Sequence, residues 1–217
     1  MDRGSLFTWQ AECEFEYVRL TLAHQPRPQP LYVVGLGMAT NIASALVLDP
    51  TIADRIVVLW IGGHPYYWEH ARDFNLNQDR VAAKVLFDSG VPLVHIPSAD
   101  VAAQLSVTLP ELEKGIRGKS QIADELYDRV AGYRDEVLKQ RGNAAKKEEW
   151  SKVIWDIATI AWLVDPQHSV QTQVVQRPSL NADGTWKPNS KSPPSVVRVA
   201  TDLNAPRVFE LMFEALD

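Results

Sequence analysis

The stretch LYVVGLGMATNIASALVLDPTIADRIVVLWIGG, residues 31–63, decides how this chain folds. "LYVVGLG" (31–37) is a buried strand ending in glycines. Thr40 or Asn41 then caps a helix, "NIASALVL", that stops before Pro50. "RIVVLWIGG" (55–63) is a second buried strand, "NQDRVAAKVLFDSG" (77–90) a helix closed by Gly90, and "VPLVHIP" (91–97) a third strand. Short apolar strands alternating with helices predict an α/β fold, with a Rossmann-like, mostly parallel sheet and flanking helices.

Upstream, Trp9 to Leu22 carries apolar residues at partly helical spacing before the three prolines of "HQPRPQP" (24–30). Downstream, Leu109 to Trp150 turns helical and charged, with a solvated amphipathic helix in "KSQIADELYDRVAGYRDEVLKQR" (119–141) and a hinge-like break in "RGNAAKKEE" (141–149). "WSKVIWDIATIAWLVDP" (150–166) reads as a helix that is apolar on every side from Val153 to Val164, except for Thr159 and one carboxylate, Asp156. An unpaired buried carboxylate is costly, so Asp156 needs either a partner or a function. "SVQTQVVQRP" (169–178) and "SVVRVAT" (195–201) are expected to pair as strands across the turn-rich loop "SLNADGTWKPNSKSPP" (179–194), and "APRVFELMFEAL" (205–216) is a closing helix. Without a repeat or an evident boundary, residues 1–217 are expected to form one domain.

Composition narrows the function. The 217 residues are 46% apolar and 23% charged, enough for a substantial core. Net charge is -5 with the 22 basic residues dispersed, which argues against a nucleic-acid partner and favours a small neutral or cationic ligand. Cys13, the only cysteine, excludes an internal disulfide and a cysteine-based zinc site. The charged opening "MDRGSLFTWQAECEFEYVRL" is not a signal peptide, and no apolar run reaches membrane-spanning length. A soluble, cytoplasmic protein is expected.

In open α/β sheets ligands sit beyond the carboxyl ends of the strands. "GLGMATN" (35–41) suits either a phosphate cradle or a tight turn with a Thr or Asn cap. "GGHPYYWEHARDFNLNQD" (62–79) concentrates aromatic and polar groups on one connection, as binding loops do. His64 and His70 lack the spacing of a helical zinc pair. Asp73 and Asn75 stand two apart, which in extended chain points both to one side; alternatively Asp73 caps a helix opening near Gln78.

Taken in order, these motifs resemble the inosine/uridine-preferring nucleoside hydrolases. "GLGMATNIASALVLDP" is similar to the family's Gly-Pro-Leu-Thr-Asn-Leu-Ala turn, "VVLWIGG" to its Met-Gly-Gly strand end, and "DFNLNQD" to its Glu-Phe-Asn segment. "WDIATIAWLVDP" resembles its His-Asp helix and "RVATDLNAPRVFELMFEAL" its C-terminal end. The resemblance implies a ribonucleoside substrate, hydrolysis of its N-glycosidic bond to base and ribose, a role in purine salvage, a bound Ca2+ that activates water, and a homodimer or homotetramer.

Carried over by position, the resemblance implies that Thr40 offers its backbone carbonyl and Asp156 its carboxylate to calcium, while Asp73 and Asn75 bind ribose hydroxyls. The chain departs from the family at Asp73, where a Glu is usual, and at Tyr67, near a usual Asn. It departs again at Trp155, where many members have the His that protonates the leaving base and a stacking role is implied instead. The family's first strand, with its Asp-x-Asp-x-x-x-Asp-Asp motif, has no counterpart here, so the catalytic residues stay unassigned. Two donors fall short of the 6 to 8 oxygens calcium prefers. Asp156 is then expected to be protonated, otherwise paired, or exposed to water. The alternative to an enzyme is a non-catalytic module that binds a nucleoside or a partner.

Overall fold

The structure, a computed structural model, describes residues 29–141, 150–189 and 195–217. The helical reading of Trp9 to Leu22, the 142–149 part of the hinge-like break and the 190–194 part of the loop lie outside the described residues. The described chain falls into two compact units: residues up to Val101 with Gln171–Asp202, and Ala102–Val170 with Leu203–Asp217.

In the first unit the order is β1 (Leu31–Gly35), α1 (Thr40–Leu48), a 3-10 turn (Pro50–Asp54), β2 (Ile56–Ile61), α2 (Phe74–Gln78), α3 (Arg80–Asp88) and β3 (Leu93–Ile96). β1 pairs in parallel with β2, from Leu31 opposite Ile56 to Gly35 opposite Trp60, and β2 in parallel with β3, setting Trp60 beside His95. The five-stranded sheet continues through β9 (Val196–Leu203), parallel to β3, to β6 (Val170–Gln176) at the far edge. Arg177 N donates to Ser195 O, while Thr201 Oγ1 donates to Gln171 O. Contacts running in opposite order along the two strands mark β6 and β9 as antiparallel. The mostly parallel sheet read from the sequence is therefore present, with the paired strands of the C-terminal half on one side of it.

β2 shows why this reading succeeds. Val58, Leu59, Trp60 and Ile61 are all buried, as a central strand covered on both faces requires. Val58 and Trp60 join a core with Ala43 and Leu46 of α1 and Ala83, Leu86 and Phe87 of α3. Full burial of a side chain of this size contributes roughly 1.5–3 kcal/mol. A small hairpin, β7 (Ser179–Leu180) with β8 (Trp186–Lys187), completes the unit from part of the turn-rich loop.

The second unit holds β4 (Ser106–Thr108), α4 (Leu109–Ile116), α5 (Gln121–Arg141), β5 (Ser151–Val153), α6 (Ile157–Val164) and α7 (Ala205–Glu214). Thr108 and Glu111 form a reciprocal capping box that opens α4. α5 is the solvated helix expected, and its buried Ala123 faces Leu112, Ile116, Phe209 and Phe213. One reading needs correction. The stretch 150–164 is not one helix: Ser151–Val153 is a strand antiparallel to β4, and the helix begins only at Ile157.

Candidate functional site

The connection from β2 to α2 is built on two glycines. A Cβ on Gly62 would lie 2.4 Å from the Trp60 ring, so no side chain fits without displacing that indole. Gly63 has φ of +79°, the left-handed region that glycine enters freely, and a Cβ there would meet Leu76, Trp186 and His95 within 3.5 Å. Beyond them the Asn75 amide nitrogen donates to Ile61 O at 2.9 Å and Leu36 O at 3.2 Å, tying the ends of β1 and β2 together. Both amide hydrogens are used in this way, which leaves Asn75 Oδ1 as the group able to receive a donor.

Asp73 is the N-cap of α2, its Oδ1 accepting from Leu76 N at 2.8 Å. The Asx-cap alternative is thus the geometry present, although the helix opens at Phe74 and not near Gln78. Asn75 lies inside that helical turn, so the extended-chain argument for Asp73 and Asn75 pointing to one side does not hold. Both residues are half-buried.

Thr40 is corrected in its role as a cap. The N-cap of α1 is Ala39, with no side-chain bond. The Thr40 hydroxyl instead donates to Asp79 Oδ2 at 2.6 Å, while Asp79 Oδ1 caps α3 through Ala82 N at 2.9 Å. The Gly37 carbonyl accepts from Trp60 Nε1 at 2.9 Å. These bonds, with the one from Asn75 to Leu36, bring the turn that carries Thr40 together with the Asp73–Asp79 segment.

The same connection carries an aromatic cluster. The Trp68 ring lies 4.6 Å from His64 and the His70 ring 5.5 Å from it, between centroids. Tyr67 OH donates at 2.8 Å and Trp68 Nε1 at 2.7 Å to the same Asp100 oxygen. These two donors, Trp68 first, hold the Asp100 carboxyl below the usual range, and the Tyr67 phenol is correspondingly raised. Burial lowers the pKa of His64, opposed by the negative charge of Asp73 and reinforced by His70. No group of three or more His, Cys, Asp or Glu side chains among the described residues is arranged to hold a metal ion.

In the second unit, Trp155 and Asp156 form the turn that leads into α6. Asp156 occupies the N-cap position in αR geometry and makes no side-chain cap bond, so a capped, satisfied carboxylate is not what is found. The residue is exposed, as expected for one of its three fates, yet protein crowding around the carboxylate raises its pKa, countered by the Lys152 charge. Buried Thr159 Oγ1, one turn into the helix, has no partner among the described residues.

Sequence reasoning passed over a buried network in the first unit. His95 is fully buried in β3, Nε2 2.6 Å from Gly62 O and Nδ1 2.8 Å from Tyr66 OH. A carbonyl only accepts, so Nε2 carries the proton and Nδ1 receives the Tyr66 hydroxyl. Burial lowers the His95 pKa to about 4 and raises that of Tyr66. A histidine inside the apolar run "VPLVHIP" was the available signal. Arg177, 1% exposed, donates to Val196 O at 3.1 Å and Val91 O at 2.5 Å. It follows the half-exposed β6, and nothing in its local sequence announces burial.

The family model described as inosine-uridine preferring nucleoside hydrolase matches residues 8–210, a segment containing all five candidate residues. The chain belongs to that family. The pyrimidine-specific ribonucleoside hydrolase RihA of Escherichia coli strain HS is 32% identical over 148 residues, covering 64% of this chain and 44% of that protein. RihA of Salmonella schwarzengrund is 30% identical over the same shares. The chain thus spans about half the length of the curated relatives it matches. Among solved structures, the inosine-uridine preferring nucleoside hydrolase of Bacillus anthracis superposes with a TM-score of 0.68 at 18% identity, covering 94% of this chain and 64% of that one. An inosine-guanosine nucleoside hydrolase superposes with a TM-score of 0.71 at 12% identity, covering 93% of this chain and 67% of that one. At such identities the likeness shows the nucleoside hydrolase fold alone.

Proposed function

We propose that this chain belongs to a ribonucleoside N-glycosidase, which hydrolyses purine or pyrimidine ribonucleosides to base and ribose. The family match over residues 8–210 carries the reading. Glycosidic cleavage builds positive charge at the anomeric carbon, which a carboxylate stabilises and hydroxyl-binding acceptors orient. Asp73 supplies a carboxylate with one oxygen outside its cap bond, and Asn75 supplies a fixed amide oxygen. Both are acceptors, as ribose hydroxyl donors require, and both hang from the glycine-shaped end of β2. Trp155, 37% exposed, offers an indole face for the base, where stacking contributes roughly 1–3 kcal/mol.

Calcium belongs to the reading as its cofactor, with Asp156 and the Thr40 carbonyl as proposed donors. Hard oxygens are the right type, but two of them do not make the 6 to 8 that calcium takes. The described residues therefore do not fit the ion by themselves, and no step here passes through it. A homo-oligomer in the cytoplasm completes the proposal.

The test is to incubate the protein with inosine and with uridine, with calcium and with a chelator, and to quantify free base and ribose. Equal release of base and ribose, reduced at least about tenfold by Asp73→Asn, is the expected result, a factor equivalent to about 1.4 kcal/mol. Asp73→Asn keeps the cap acceptor and removes only the charge. Nucleoside binding without release would favour the non-catalytic module, a reading to which the Trp155 indole, unable to serve as a proton donor, lends support. Neither binding nor release would reject both.

A further inference from the structure

Tyr67 is 77% exposed and Trp68 38% exposed, so neither ring is spent on the core. Yet neither is left to rotate. The polar edges of both are anchored to one oxygen of Asp100, at 2.8 Å and 2.7 Å. Asp100 has φ of 61°, the only positive value among the described non-glycine residues, in a region an aspartate tolerates better than most side chains but seldom occupies. The Trp68 indole is further backed by the His64 ring at 4.6 Å, and His64 is itself placed by its amide bond to Ala71 O and by the Ser98 hydroxyl at 3.3 Å. Fixed aromatic faces that remain in water are poor devices for stability and good ones for capturing a planar ring, because their orientation is set before the ligand arrives. They lie on the connection that also carries Asp73 and Asn75.

We infer that Tyr67 and Trp68, held by Asp100, form a stacking shelf for the heterocyclic base of the substrate. This rests on the nucleoside reading above and adds base-recognition residues beside the proposed ribose acceptors. Tyr67 supplies an open face and Trp68 a face stiffened from behind by His64. Asp100 acts as a positioning residue, through the two rings.

The experiment is calorimetric titration of inosine, uridine and free ribose into the wild-type chain and the variants Tyr67→Ala, Tyr67→Phe, Asp73→Ala and Trp155→Ala, each checked for an unchanged melting temperature. Tyr67→Ala is expected to weaken inosine and uridine about 5-fold to 100-fold and leave ribose unaltered. Tyr67→Phe, which keeps the ring and loses the bond to Asp100 that orients it, is expected to weaken both nucleosides measurably but less than Tyr67→Ala does. The shelf is overturned if Tyr67→Ala leaves nucleoside affinity within twofold, if it weakens ribose equally, or if Tyr67→Phe is as damaging as the alanine. Nucleoside binding that depends on Asp73 or Trp155 but ignores Tyr67 would reject the shelf and keep the wider reading. A wild-type chain that binds neither nucleoside would reject both.

Discussion

His95 carries its ring deep in the sheet as a neutral imidazole with both nitrogens occupied. Its pKa is about 4 in the folded chain against an ordinary 6.5. Between those values the unfolded chain binds the proton and the folded one does not, so stability falls as pH drops below 6.5 and the loss is complete below about 4. The loss is on the order of 3 kcal/mol. Urea denaturation at pH 7 and pH 4 is expected to show a smaller acid loss for His95→Gln than for wild type. Asp156 titrates in the other direction: its pKa is raised by burial and held back by Lys152. Lys152→Met is expected to raise the carboxyl midpoint further in a carbon-detected NMR titration, and an unmoved midpoint would mean the two groups do not interact. The anomaly that Asp156 posed in the sequence was real, but its frame was misread. A short strand, Ser151–Val153, and a turn through Trp155 and Asp156 leave the carboxylate at a helix entrance, a break that the nearly continuous apolar run from Val153 to Val164 conceals.

At the level of elements, Asp79 joins two helices: it caps α3 and receives the Thr40 hydroxyl from α1. Asp79→Ala is expected to lose about 1–3 kcal/mol in chemical denaturation, and Thr40→Val, which removes only the second bond, about 1 kcal/mol. Equal effects would show that the interhelical bond, and not the cap, does the stabilising. Gly115 of α4 marks a close approach in the second unit, since a Cβ there would lie 2.5 Å from the Phe213 ring. Gly115→Ala is expected to cost about 1–3 kcal/mol through the forced shift of that ring, outweighing the helix propensity gained. The sequence exposed strands and helices through their apolar runs and glycines, yet it read a single helix from Asn77 to Gly90, and so missed α2 and the break at Asp79. Capping by an aspartate that opens one helix one residue after another closes is a three-dimensional event, and linear spacing does not encode it.

At the level of the whole chain, the order of motifs from "GLGMATN" to "RVFELMFEAL" was enough to place it in its family, and the sheet of β1, β2, β3, β9 and β6 agrees with that placement. The candidate site was legible in part. Asp73 and Asn75 could be singled out because they stand after a strand, and the Asp73 cap was one of the alternatives there, but the bonds of Asn75 to Leu36 and Ile61 were not legible, since those depend on how β1 and β2 align. The Asp100 anchor was equally hidden, lying 33 residues from Tyr67 along the chain. The central claim is that Asp73 and Asn75 receive the hydroxyls of a ribose. It is tested most directly by comparing the affinity of the chain for inosine and for 2'-deoxyinosine, in wild type and in Asp73→Asn. Inosine is expected to bind at least about tenfold more tightly, a margin of about 1.4 kcal/mol, and Asp73→Asn is expected to shrink it. Equal affinity for the two nucleosides, or a preference that Asp73→Asn leaves intact, would contradict it.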